Sequence, residues 1–360
     1  MAVIETRDLS PIARRMMSFE YIRIYAATTV FLTHKFPQFA TVTVDKTSIA
    51  TVVLGDIYNA IVPILWTGLP AVTAFFLISG YIIMSAIDRE HTGQFAINRI
   101  FRIYPMYILA VLMEFALTDR IPQWNELWPR LCLLGDFMAA PQVLNGVDWT
   151  LRIEIIFYII AAVISLFYKY PIIKKYRTYL VPIGMIFCAF GPSFPSWSSS
   201  TKGLLNAYFP FLILGCAVYF YEKRNISGIL LITAVPATLL IFIYRVTYQG
   251  YPNLGAVLGT VAFLIAWKYD EKFKHSKIVM QMSSITYGLY LFHSWYYDYT
   301  RDFLQGYHVS PPFSVALSIV YLYAFCYLAH LVFEGPLMRA GKWIAKRPYR
   351  STLVANPVSQ

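Results

Sequence analysis

The chain has 360 residues, 58% of them apolar and 14% charged, against roughly 25% charged in an average soluble domain. So few charges cannot cover a water-facing surface, which excludes a soluble globular protein. The net charge of +11 does not indicate nucleic acid, because the basic residues stand in short clusters between apolar stretches and form no continuous face.

Backbone groups in lipid must pair within their own segment, and the ~10-residue alternation of a membrane barrel is absent. The expected fold is therefore all-α and polytopic, with about ten transmembrane helices. In chain order the spans are expected near 17–36, 62–87, 100–118, 148–168, 179–195, 204–221, 228–245, 254–268, 280–300 and 313–334. They leave a cytoplasmic N-terminal segment at 1–16, one membrane domain at 17–334 and a basic tail at 335–360 that lies on the cytoplasmic lipid surface. The first apolar segment carries Arg23 and His34, so it reads as a retained helix and not a cleaved leader.

Alternate crossings gather the basic clusters on one side: Arg7, Arg14 and Arg15; Arg89, Arg99 and Arg102; Lys169, Lys174, Lys175 and Arg177; Lys223 and Arg224; Lys268, Lys272, Lys274 and Lys277; Arg339, Lys342, Lys346, Arg347 and Arg350. The other side keeps only Lys35, Lys46, Arg120, Arg130, Lys202, Arg245 and Arg301. The positive-inside bias places both termini in the cytoplasm. Two long connections, 37–61 and the Trp- and Pro-rich 119–147, are the natural place for an acceptor site, since long loops are often functional. Cys132, Cys188, Cys216 and Cys326 show no metal or redox spacing and read as buried apolar filler; no metal site is expected.

Ionisable groups inside apolar spans cost roughly 2.5–3.5 kcal/mol each at a bilayer centre on insertion scales, so they need a reason to be there. Arg23 and His34 fall within ~20° of one face of the first span, ~16 Å apart along it. The bland alternative is a snorkelling arginine and an interfacial imidazole. In the fourth span Glu154 and Tyr158 share a face at i, i+4, and Glu154 lies at a depth close to that of His34. A carboxylate and an imidazole so placed fit a base and its orienting partner, although Glu154 paired with Arg152 or Arg23 as a structural ion pair is the alternative. Arg99 and Arg102 open the third span, where free N–H groups, the helix dipole and two guanidiniums all favour a phosphate. Arginine at a cytoplasmic helix end is also what topology alone demands. His293 in the ninth span is a further candidate for the same cavity, whereas His330 and Glu334 at i, i+4 fit the closing of the last helix end.

Taken together, these residues resemble the membrane acyltransferase-3 family, which includes O-antigen, exopolysaccharide and Nod-factor acetyltransferases. The likeness spans nearly the whole chain. It is carried by Arg23-x10-His34, by Phe75-Phe76-Leu77-Ile78-Ser79-Gly80, by Arg99-x-x-Arg102 with Tyr104-Pro105, by Trp149-Thr150-Leu151 with Glu154 and Phe157-Tyr158, by Tyr287-x-Leu289-Tyr290-Leu291-Phe292-His293, and by Glu334-x-Pro336-Leu337. Many members have Ser at the position of Thr150 and a small polar residue at that of Arg152, and no appended esterase-like domain is expected.

The resemblance implies transfer of an acetyl group, from acetyl-CoA on the cytoplasmic side of a bacterial inner membrane, to the hydroxyl of a carbohydrate such as a polysaccharide or lipid-linked glycan. No permanently bound cofactor is expected. Arg99 and Arg102 would hold the CoA phosphates, and His34 would be the base, with Glu154 or Arg23 fixing its tautomer and charge. Ser79, Tyr158, His293 and Trp149 are candidate cavity-lining residues, the first three for the thioester oxygen. The competing readings are a polysaccharide or lipid-linked sugar flippase, a structural subunit of an envelope complex, and acylation of a small lipophilic acceptor such as a macrolide.

Overall fold

The computed structural model describes residues 16–40, 52–57, 59, 68–118, 122–167, 170–196, 201–246 and 254–354, with side chains as far as 346 apart from 40, 171, 173 and 174. The N-terminal basic cluster, most of the 37–61 connection and the start of the second span lie outside these residues. Those described are helices and their connections, with no strand among them.

In chain order the main helices are α1 (Met17–Lys35), α2 (Leu69–Ile87), α3 (Thr92–Leu117), α4 (Trp149–Leu166), α5 (Leu180–Phe190), α6 (Leu204–Glu222), α7 (Gly228–Val246) and α8 (Leu254–Lys268). They are followed by α9 (Lys277–Ser284), α10 (Thr286–Phe292), α11 (Trp295–Gly306), α12 (Pro311–Ala329) and α13 (Gly335–Val354). Proline starts α2 and α12, where its missing N–H costs nothing. Pro105, Pro210 and Pro236 sit inside α3, α6 and α7, as membrane helices tolerate when neighbours re-satisfy the freed carbonyls.

Among the described residues, six helical stretches are long and apolar enough to cross a membrane: α2, α3, α4, α6, α7 and the run from Pro311 to Lys346. Nineteen residues of α2 span about 28 Å, close to the ~30 Å hydrocarbon core. Large apolar side chains such as Ile186, Phe190, Ile229, Ile232, Leu240 and Val332 point outward from the bundle, a surface suited to lipid. The chain is a multi-pass membrane protein.

Helices also stand at the other four expected positions, with departures that have local causes. α1 carries Glu20, Arg23, His34 and Lys35. α5 and α8 are short. The ninth span is not continuous: it breaks at Ile285 and again at His293–Ser294, giving α9, α10 and α11. The last helix does not stop at Glu334 but runs through one π-helical segment, His330–Glu334, into α13, which packs along α3.

α2 is the centre of the bundle, packed on α1, α6 and α8. Its contact with α6 depends on two glycines. A Cβ on Gly80 would run into the Leu212 carbonyl and one on Gly215 into the Leu77 carbonyl, so the two backbones touch only because both side chains are absent. The long Trp- and Pro-rich 119–147 connection folds from residue 122 into a helix at Trp124–Leu131, a turn at Gly135–Met138 and a 3-10 turn at Leu144–Gly146. Cys188, Cys216 and Cys326 are buried as expected, but Cys132, which follows the Trp124–Leu131 helix, is exposed.

Candidate active site

A cavity of about 110 Å³ runs between α1, α2, α3, α4 and α10. Arg23, Ala26, Ala27 and Val30 supply its α1 wall, the i, i+3, i+4, i+7 stripe of one helix face. The two alanines leave the room that larger side chains would fill. The cavity brings together six of the residues singled out in the sequence: Arg23, Ser79, Arg99, Arg102, Glu154 and Tyr158.

α3 begins at Thr92, so Arg99 and Arg102 lie about two turns inside a helix and do not open it. The expected help from free helix-end amides and from the dipole is therefore lost, because amides at that depth are already paired. The guanidiniums remain on one face at i, i+3. Arg102 donates to Glu334 Oε1 at 3.0 Å, and its guanidinium lies 5.6 Å from the Tyr287 ring centre. Arg99 sits 5.5 Å from the Phe95 ring and 5.9 Å from the Tyr158 ring, and its Nε is buried with no hydrogen-bond partner. Arg23 reaches the buried Glu20 at 3.4 Å, and Glu20 in turn accepts from Ser283. Three guanidiniums and one carboxylate, Glu154, thus line the cavity.

Glu154 is buried, and its Oε1 accepts from Ser79 at 2.6 Å and from Tyr158 at 2.5 Å. The i, i+4 relation to Tyr158 holds, and the contact with Ser79 ties α4 to α2. Arg152 has no part in this. Two residues along a helix is ~200° around it, so Arg152 points away and meets its own carboxylates, Asp148 at 2.7 Å and Asp136 at 3.0 Å, with the Ala140 and Pro141 carbonyls. Burial pushes the Asp136 carboxyl above the usual carboxylate range against the pull of Arg152. The extra arginine therefore anchors the connection before α4 and leaves the surroundings of Glu154 unchanged. The Thr150 hydroxyl pairs with the Tyr290 hydroxyl at 2.6 Å, the kind of contact a serine there would also offer.

His34, Trp149 and His293 are not in the cavity lining. Trp149 packs between Tyr208 and Phe76, with ring centres 4.8 and 6.2 Å away. His34 is exposed, one turn beyond Val30 at the top of the α1 wall, and its Nδ1 lies 2.9 Å from Nε2 of the fully buried His293. The orienting partner expected from the sequence, Glu154 or Arg23, is not the one the structure supplies.

The pairing fixes the tautomers. His293 Nδ1 lies 2.7 Å from the Tyr290 carbonyl, which can only accept, so Nδ1 carries the hydrogen. In a neutral ring Nε2 is then bare and accepts from His34 Nδ1–H. His34 Nε2 is left as a free lone pair, the form a general base needs.

The break between α10 and α11 is what makes this possible, since it sets His293 at the helix end, where its ring turns back to the carbonyl three residues earlier. Sequence reasoning missed Glu20, and it joined Glu334 to His330, which lies 2.8 Å away, but not to Arg102. Both signals were present, Glu20 one turn before Arg23 and Glu334 as a charge within an apolar run, but a partner 232 residues from Arg102 is not legible from local spacing.

Residues 17–331 match the model of a family described as the acyltransferase domain. Over 165 residues the chain is 28% identical to the acyltransferase MdmB of Streptomyces mycarofaciens, a match covering 42% of this chain and 39% of that protein. The chain thus spans about two fifths of the length of that relative. No solved structure matches the chain.

Proposed function

The chain belongs to the acyltransferase domain family, and on that premise we propose that it is an integral-membrane O-acyltransferase moving an acetyl group from cytoplasmic acetyl-CoA to a carbohydrate hydroxyl. The acceptor is a cell-envelope or exported glycan at a bacterial inner membrane, and the chain crosses ten times with both termini inside. The observation that carries the reading is an arginine-lined cavity whose α1 wall ends at Val30, one turn before a histidine whose Nε2 is bare.

Arg99, with its unpartnered Nε, and Arg102 bind the phosphates of the donor, and Arg23 adds a third cation on the α1 wall. The pantetheine arm extends along the apolar α1 stripe toward Val30, bringing the thioester beneath His34. His34 Nε2 takes the proton of the acceptor hydroxyl as that oxygen attacks the thioester carbon. The C–S bond then breaks, and the leaving thiolate takes the proton from His34, giving the acetyl ester and free CoA. His293 holds His34 in the required tautomer. Glu154 keeps Ser79 and Tyr158 aligned at the middle of the cavity. No cysteine is among the residues lining the cavity, which favours direct transfer over an acyl-thioester on the protein.

The test is incubation of the purified protein in nanodiscs with radiolabelled acetyl-CoA and lipid-linked glycans, comparing wild type with His34→Ala. Label should enter glycan with wild type alone, the variant losing about 10²–10⁴-fold as for removal of a general base. Equal labelling by His34→Ala would remove His34 from the chemistry. Failure of wild type to bind acetyl-CoA would move the weight to the flippase reading.

A further inference from the structure

A second, open cleft of about 860 Å³ lies between the end of α3, the 122–145 connection and α11. Neither histidine of the pair is in its lining, but residues next to both are tied to it. Trp295, in its wall, is two residues beyond His293. Asp298, also in the wall, holds Lys35 at 2.5 Å, and Lys35 is the chain neighbour of His34. Both cavities thus reach residues that adjoin the histidine pair, Val30 one turn before His34 in the first, and Trp295 and the partner of Lys35 in the second.

Their chemistry is opposite. The first is largely apolar with guanidiniums; this one presents the Gln142 and Asn145 amides, the Glu126 and Asp302 carboxylates and the Arg130 guanidinium. Beside them the Tyr299 and Phe303 rings stack at 6.3 Å, within 23° of parallel. Groups that accept, groups that donate and a flat apolar face together match a sugar ring, whose hydroxyls do both and whose C–H face packs on aromatics. Four carboxylates, Glu114, Glu126, Asp298 and Asp302, stand on the lining against one guanidinium, with Lys35 and Arg301 paired to them from behind. Four carboxylates against those three cations leave a net negative lining, which disfavours a further negative charge.

The wall is also held rigidly. Leu144, Asn145 and Gly146 have φ of 56°, 53° and 86°, a run of left-handed backbone costly for the first two. It is pinned by Leu144 N–H donating to Glu114 at 2.8 Å and Val143 N–H to Asp148 at 3.0 Å. Asn145 is thereby fixed at the cleft.

We propose that this cleft is the acceptor subsite, binding a neutral, hydroxyl-rich glycosyl ring and excluding uronate or phosphorylated ones. The proposal rests on the acyltransferase reading and deepens it. Transfer then occurs at His34, the donor arriving from one cavity and the acceptor hydroxyl from the other.

Saturation-transfer NMR on the full chain in nanodiscs tests it, with millimolar methyl glucoside, galactoside and mannoside in one tube and methyl glucuronide and galacturonide in another. Neutral glycosides should receive saturation and the uronides should not. Asn145→Gly, which keeps the left-handed backbone, and Tyr299→Ala should each weaken neutral-glycoside binding about fivefold, the equilibrium factor of one lost contact. Acetyl-CoA titrated calorimetrically into the same samples should bind wild type and both variants alike. Equal or stronger saturation of the uronides, no saturation of any glycoside, or unchanged binding by both variants would overturn the inference. Acetyl-CoA binding without glycoside binding would sink this subsite and leave the donor reading standing; glycoside binding without acetyl-CoA binding would do the reverse.

Discussion

His293 provides the sharpest test of the hydrogen-bond chain, because it contacts neither cavity and yet sets the state of His34. His293→Leu removes two bonds, the 2.9 Å contact to His34 and the 2.7 Å contact to the Tyr290 carbonyl. His34 is exposed, so water replaces the lost acceptor at Nδ1, and the imidazole is freed to rotate and change tautomer without being stranded. One hydrogen bond of orientation is worth about 1–2 kcal/mol, or roughly 5–30-fold in kcat, well short of the ~10²–10⁴-fold expected for losing the base itself. KM for acetyl-CoA should not move. His293→Gln should recover most of the rate, because its amide oxygen can accept from His34 while its NH₂ donates to Tyr290. Initial rates of labelled acetyl transfer for wild type, both His293 variants and His34→Ala, measured as a function of pH, separate these cases. A His293→Leu protein as fast as wild type would refute the chain. One as slow as His34→Ala, with folding intact, would make His293 the base.

Three further substitutions probe other parts of the structure. Arg99→Ala should weaken acetyl-CoA binding by about 1.5–3 kcal/mol, roughly 10–150-fold, with a smaller deficit at high salt; calorimetry showing unchanged affinity would remove Arg99 from the phosphate site. Arg152→Leu strands the buried Asp136 and Asp148 carboxylates and should cost about 3–5 kcal/mol. Its thermal midpoint in detergent should fall sharply and be restored in part by adding Asp136→Asn and Asp148→Asn. Gly80→Val drives a side chain into the Leu212 carbonyl and should cost at least about 1–3 kcal/mol; a wild-type yield of monodisperse protein would mean that α2 and α6 are not in tight contact.

Most of the bundle was legible because lipid imposes one rule on every residue, and apolar runs of sufficient length answer it directly. The departures fall where a second requirement competes. α3 starts earlier than its apolar run because the helix continues through Asn98 and the arginines, polar residues that hydrophobicity counts as outside but helix propensity does not exclude. The ninth span breaks into α9, α10 and α11 although its sequence is apolar enough to continue, and no glycine or proline marks the break at His293. What compensates that break is tertiary: His293 Nδ1 meets the carbonyl of Tyr290, whose hydroxyl reaches the Val147 carbonyl across the bundle at 2.5 Å.

The site divides in the same way. Residues one turn apart on a helix were placed correctly relative to each other: Arg99 with Arg102, and Glu154 with Tyr158. Pairings between helices were not, because matched depth in a membrane fixes only one coordinate of three. Glu154 and His34 were joined on that coordinate, but rotation of α4 about its axis turns the carboxylate toward Ser79, and the break after α10 delivers His293 to His34 instead. The error has a chemical consequence. A carboxylate partner would stabilise an imidazolium and raise the affinity of His34 for its proton, whereas a neutral imidazole partner fixes the tautomer without adding charge. A base that must give its proton back to a departing thiolate within the same turnover is better served by the second arrangement, since a proton held too tightly would not be returned.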